Sequence, residues 1–383
     1  MGERVALFAG VVLLLTAVVS GSCDNESGDS DRFYPPDGPG SYEVGVTTLY
    51  AIDESRFEIW GMRDRTLPLE VWYPSTGIGG RVNYMADMIG DIPPAAWSLL
   101  EIFYGDYLEG FWNTATSAMR DAEVLVSSGP FPVLFFSHGF AGLRFQNYTL
   151  SEHLASHGFV VISADHYGNA AIINLPDGKL IPINPFASFS DYFERIEDVE
   201  FVYHELQRMN QDLLGSWYGL FDLETFSIIG HSAGGLTSLY CGANFNFVKA
   251  IAPLNPVSMG DFPQSFSKPF YMLQGENDTF VGVMNEAARK LLDDAASTHK
   301  VHINLINGGH YNATDVCLLA PPSIAFLKEG CDPPNIDYHS ANRISNAYMT
   351  AFFKSALLGD HRYDDYLKEN HFPGEVELTT TWE

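Results

Sequence analysis

The chain has 383 residues, enough for two or three domains or for one large α/β enzyme unit. Hydrophobic residues make up 46% and aromatics 14%, a composition that supports a large packed core and lies far from that of a disordered chain. Asp and Glu number 48 against 21 Lys and Arg, and the resulting formal charge of -27 argues against nucleic acid or an anionic membrane surface as the partner.

In chain order, the N-terminus reads as an export signal. Arg4 supplies a thin positive segment, Val5 to Val19 is an apolar run short for a membrane span, and Ser20-Gly21-Ser22-Cys23 follows. Small residues before Cys23 resemble a bacterial lipoprotein signal, which would make Cys23 the lipidated first residue of the mature chain. Ser20 and Glu3 depart from the usual pattern of such signals, and plain secretion or an uncleaved anchor are the alternatives. Residues 1–23 are thus expected to be a signal peptide, 24–41 a flexible tether rich in Asp, Glu, Ser, Gly and Pro, and 42–383 the folded domain.

Beyond residue 42, strand-like and helix-like segments alternate, the pattern of a mostly parallel sheet with helices on both faces. Residues 43–50 and 67–73 read as an opening hairpin. The continuous apolar run 131–137 fits a strand buried on both sides. Helix 146–157, strand 159–164, helix 190–211, strand 225–230 and helix 233–243 follow. Strands 247–252 and 269–274, helix 284–296, strand 300–306 and helix 341–357 complete the series. Residues 84–122 break the rhythm: Met85, Met88, Trp97, Leu100, Phe103, Tyr104, Tyr107, Phe111 and Trp112 fall mostly at helical spacings. Such a segment is either an inserted helical pair packed as core or a helical cap supplying an apolar acyl or lipid pocket.

Three of the four cysteines remain when Cys23 is set aside. Cys317 and Cys331 lie 14 positions apart in a proline-rich stretch and suit a loop-stapling disulfide in an oxidising compartment, while Cys241 reads as a buried free thiol. No spacing suggests a metal site, since His299 and His302 would point to opposite faces of a strand, and no cofactor is implied.

The chemistry centres on Gly230-His231-Ser232-Ala233-Gly234, a G-x-S-x-G between an apolar strand and a helix-compatible stretch. Glycines on both sides allow a tight turn that lifts the Ser232 hydroxyl clear of the sheet. A serine nucleophile needs a histidine base oriented by a carboxylate, and in this strand-turn-helix context the chain order is nucleophile, acid, histidine. Asp278 follows strand 269–274 and His310 follows strand 300–306, both on loops, with Glu276 the nearest competitor for the acid. The oxyanion of acyl attack needs backbone donors: the Ala233 N–H, and from the loop Ser137-His138-Gly139-Phe140-Ala141 the Phe140 N–H, with Ala141 next. His138 reads as a satisfied core histidine buttressing that loop.

These segments resemble the α/β-hydrolase superfamily over roughly residues 42–360. Phe135-Phe136-Ser137-His138-Gly139-Phe140 and Leu154-Ala155-Ser156-His157-Gly158-Phe159-Val160-Val161 resemble platelet-activating-factor acetylhydrolases and bacterial cutinase-like polyester hydrolases. Thr66-Leu67-Pro68-Leu69-Glu70-Val71-Trp72-Tyr73-Pro74 resembles dienelactone-hydrolase-like bacterial proteins, and Glu276-Asn277-Asp278-Thr279 resembles the acid loop of cutinase-like enzymes. Acetylhydrolases carry the acid one strand earlier, where this chain has Asn255, so the resemblance assigns the acid to Asp278. Dienelactone hydrolases proper use a cysteine nucleophile, from which Ser232 departs. The resemblance implies a serine hydrolase of short-chain acyl, lipid or phospholipid acetyl esters. A cutinase-like polyester hydrolase, a peptidase or a catalytically silent binding domain are the alternatives. The expected partner is a small-molecule or lipid ester, with membrane contact only through the N-terminal lipid.

Overall fold

In the computed structural model the described residues are 33–382, apart from 95–96, 99–100, 103–104, 185, 188–190, 259–261 and 321–328. The expected signal peptide with Cys23, residues 24–32 of the expected tether, and Leu100, Phe103 and Tyr104 of the 84–122 segment lie outside the described residues.

Thirteen strands are described: β1 Glu43–Glu58, β2 Arg63–Ser75, β3 Arg81–Tyr84, β4 Ala115–Arg120, β5 Phe131–Ser137, β6 Val160–Ala164, β7 Ile172–Asn174, β8 Leu180–Pro182, β9 Phe221–His231, β10 Ile251–Leu254, β11 Phe270–Gly275, β12 Lys300–Leu305 and β13 Val376–Thr380. Eleven form one sheet in the order β13-β12-β11-β10-β9-β5-β6-β2-β1-β4-β3, and β7 pairs with β8 separately. The six strands from β12 to β6 run parallel, so all six end at one edge. β2 and β13 flank them antiparallel. This is the mostly parallel sheet of the α/β-hydrolase fold, as the alternation of elements predicts.

Every residue of β5 is buried, which explains its unbroken apolar sequence. Successive residues serve opposite cores. Leu134 and Phe136 pack with Trp72, Ile229 and Leu273 toward helices Tyr148–Ser156 and Tyr338–Leu358. Val133 and Phe135 pack with Ile228 and Met272 toward helices Asp191–Gln211, Ala233–Asn244 and Gly282–Asp294.

Three regions differ from expectation. The opening hairpin is longer than 43–50 and 67–73, because β1 and β2 stay paired to Glu58 and Arg63. Residues 33–41 are held rather than loose. His153 and His157 reach the carbonyls of Pro36 and Gly38, the Tyr363 hydroxyl donates to Tyr34 O, and Gly40 N–H donates to Ser156 Oγ. The 84–122 segment is only partly helical. Met85–Ile89 and Tyr107–Trp112 are helices, but Ala115–Arg120 is a strand between β1 and β3. The cause is long-range: Arg120 of β4 pairs with the buried Glu70 of β2, which also accepts from Arg144 Nε at 3.0 Å.

Burial holds six imidazoles below the ordinary histidine range: His153 and His166 at about 4, His157 and His302 at about 3, and His138 and His231 well below. Unfolding frees each to take a proton near its ordinary value, so their contribution is lost as pH falls from about 6.5. Burial also raises three acids, Glu152, Asp165 and Asp315 (the last to about 6), which favours folding on acidification. The six histidines outweigh them. The urea midpoint should therefore be lower at pH 5 than at pH 7.5, and an equal or higher midpoint at pH 5 would contradict this reading.

Candidate active site

Ser232 follows β9 and caps the next helix with φ 55° and ψ -114°, a left-handed conformation that costs a non-glycine residue about 1–3 kcal/mol. The motif's glycines are required by close backbone approach. A Cβ on Gly230 would lie 2.0 Å from Gly234 O, and one on Gly234 would lie 1.8 Å from Ser137 O. The strand, the turn and the end of β5 therefore close on one another without room for side chains. Ser232 N–H donates to Leu254 O at 2.9 Å, which fixes the turn to β10. Ser232 itself remains partly exposed.

At the same edge, His310 Nδ1 donates to Asp278 Oδ2 at 2.8 Å, with both residues buried. The other Asp278 oxygen accepts the Val281 N–H at 3.0 Å, so the carboxylate is held at both ends. With Nδ1 committed, His310 Nε2 is the nitrogen left to accept a proton. The competitor Glu276 is exposed and instead accepts the Asn307 N–H at 2.9 Å. Phe280 lies over the His310 ring at 5.3 Å and is half exposed, presenting an aromatic face at the rim.

The loop after β5 abuts the serine turn: a Cβ on Gly139 would lie 3.5 Å from Ser232 Cβ. Gly139 N–H donates to Gln146 Oε1, and Ala141 N–H donates to Asn169 O at 2.9 Å. The expected second choice of donor, Ala141, is thereby committed elsewhere. Ala233 is the first residue of its helix, directly behind Ser232. His138 is fully buried, its Nδ1 donating to Gly139 O and its Nε2 accepting the His166 N–H, which matches the buttressing role expected of it.

Sequence reasoning missed the side chains that tie these loops together. Gln146 accepts from Gly139 N–H and donates to His231 Nδ1 at 3.0 Å, while His231 Nε2 donates to His310 O at 2.9 Å. One chain of hydrogen bonds thus joins the β5 loop, the serine turn and the histidine loop. Asn255, which stands where acetylhydrolases keep their acid, donates to His310 O at 2.9 Å and accepts the Gly275 N–H at 2.7 Å. His231 was visible only as the variable position of the motif, and nothing local marks Gln146. Cys317 and Cys331 form a disulfide with a Cα–Cα distance of 5.2 Å, and Cys241 is a buried free thiol.

Comparison with known proteins gives three likenesses. The family described as platelet-activating factor acetylhydrolase, isoform II, matches residues 92–177. A cutinase from Thermobifida alba is 24% identical over 231 residues, covering 60% of this chain and 62% of that protein. A platelet-activating factor acetylhydrolase from Cavia porcellus is 27% identical over 143 residues, covering 36% of this chain and 29% of that protein. The chain thus spans less than two thirds of the length of these relatives. The solved structure of a ferulic acid esterase from Streptomyces cinnamoneus superposes with a TM-score of 0.71 at 21% identity, covering 90% of this chain and 98% of that one. Sheet order, serine turn and these likenesses together give the conclusion that the chain has the α/β-hydrolase fold and resembles the serine esterases of that superfamily.

Proposed function

We propose that the chain is a serine carboxylic-ester hydrolase working through an acyl-enzyme. The observation that carries this reading is the 2.8 Å His310–Asp278 contact at the same sheet edge as a serine held in the strained turn. Ser232 Oγ attacks the ester carbonyl while His310 Nε2 takes its proton, and Asp278 holds the imidazole and stabilises its cation. The oxyanion is met by the N–H groups of Phe140 and Ala233. His310 then protonates the departing alkoxide, activates a water for deacylation, and returns the proton to Ser232.

The acyl chain is assigned to an apolar cavity of about 480 Å³ lined by Tyr107, Phe111, Tyr148, Leu318 and Leu319, among others. Its walls come from the inserted 84–122 segment, from Tyr148 at the start of its helix and from residues 318–320, and the lining does not include Ser232, Asp278 or His310. The acetylhydrolase family match over 92–177 supports acetylhydrolase- or lipase-like esters over attack on an open polymer surface. Export is part of the proposal. The Cys317–Cys331 disulfide supports an oxidising compartment, and Cys23 is the candidate lipidation site.

Ser232→Ala should lower kcat on acetyl esters by at least about 10³-fold, and Asp278→Asn by about 10³–10⁴-fold, whereas Glu276→Gln should stay within threefold of wild type. Steady-state kinetics check this, and full activity in Ser232→Ala would refute the reading. Leu319→Trp should lower the ratio of kcat/KM for octanoyl over acetyl esters at least fivefold, by filling the cavity. An unchanged ratio would remove the cavity from the acyl path.

A further inference from the structure

The Phe140 N–H belongs to the peptide whose other end is the Gly139 carbonyl. Among the described residues the cis peptides are Gly129–Pro130 and Pro333–Pro334, so the Gly139–Phe140 bond is trans. In a planar trans peptide the C=O and N–H point in opposite directions. Whatever holds the Gly139 oxygen therefore aims the Phe140 N–H.

Arg195, from the long helix Asp191–Gln211, reaches this peptide from beneath the loop and is fully buried. Its Nη1 donates to His138 O at 2.6 Å and its Nη2 to Gly139 O at a longer 3.4 Å, an oxygen that also accepts from His138 Nδ1 at 2.6 Å and from the Gly142 N–H at 3.0 Å. Its Nε donates to Asn169 Oδ1 at 3.2 Å, and the carbonyl of that same Asn169 accepts the Ala141 N–H at 2.9 Å. One guanidinium thus holds the His138 carbonyl, adds a third donor to the Gly139 carbonyl and, through Asn169, reaches the amide after Phe140. The planar fork of arginine suits this task, because its donors keep fixed relative directions that a lysine ammonium cannot reproduce.

We propose that Arg195 is a positioning residue for the oxyanion donor: by holding the His138 carbonyl, and together with the His138 ring and the Gly142 N–H on the Gly139 carbonyl, it orients the Gly139–Phe140 peptide so that the Phe140 N–H faces the carbonyl attacked by Ser232. The proposal rests on the ester-hydrolase reading above. Arg195 touches neither substrate nor the reacting atoms in that scheme, so its loss should act on the transition state more than on substrate binding.

The test uses Arg195→Met, Arg195→Lys and Asn169→Ala in the full chain, with kcat and KM on p-nitrophenyl acetate, the rate of fluorophosphonate labelling and the thermal midpoint. Arg195→Met should lose about 10- to 100-fold in kcat with KM within threefold, and should label proportionately more slowly. Arg195→Lys should recover only part of that loss. Asn169→Ala, which removes one acceptor and leaves the arginine in place, should show a smaller loss with the same kcat-only signature. A folded Arg195→Met with kcat within twofold of wild type, or with its loss confined to KM, overturns the proposal. If Arg195→Met does not fold, an Asn169→Ala kcat within twofold of wild type overturns it instead. A wild type that takes no label and cleaves no ester refutes the hydrolase reading and this proposal with it. A labelled, active wild type with indifferent variants refutes the positioning role alone.

Discussion

The close backbone contact between the serine turn and the end of β5 is the constraint on which the rest of the site depends. Gly230 and Gly234 press against each other, and Gly234 presses against Ser137 O, with no space for a Cβ at either position. That contact sets the strained φ of Ser232 and brings the Gly139 loop alongside it. It also sets where the helix Ala233–Asn244 begins, and so where its first N–H groups point. The flanking parallel strands then deliver Asp278 and His310 to the same edge without further bends.

A second line of Ser, His and Asp lies directly behind the first and shows why composition alone does not make a nucleophile. Ser137 Oγ and His166 Nε2 are 2.8 Å apart, and His166 Nδ1 contacts Asp198 Oδ2 at 2.8 Å. All three are fully buried, and Arg65 holds Asp198 through two hydrogen bonds of 2.6 and 2.8 Å. The Arg65 guanidinium keeps the Asp198 carboxyl far below the usual carboxylate range, while burial and the nearby Arg195 keep His166 neutral. Removing one partner of such a buried pair costs about 3–5 kcal/mol, so this array anchors the base of the β5 loop. Ser137 has no route to solvent, whereas Ser232 does.

Much of this was legible in the sequence because it is written locally. The unbroken apolar run of β5 and the glycines around Ser232 each follow from a physical need of their own segment. Asp278 and His310 were legible because order along the chain translates into order along a parallel sheet edge. The 84–122 segment was misjudged in part because Ala115–Arg120 is a strand only through its pairing with β1 and the burial of Arg120 against Glu70. Likewise β10 runs Ile251–Leu254 rather than 247–252, since Phe247, at the predicted start, stacks on Tyr203 at 3.9 Å instead of joining the sheet. Gln146 meets His231 across 85 positions, His231 meets His310 across 79 and Arg195 meets His138 across 57, so none of the three carries a local signature.

The central claim is that Ser232, and no other serine, is the activated nucleophile. Intact-mass analysis and peptide mapping after treatment with a fluorophosphonate probe test it most directly. The account predicts one adduct, on Ser232, absent from Ser232→Ala and never found on the buried Ser137. An unlabelled wild type, or an adduct on a different serine, would contradict it.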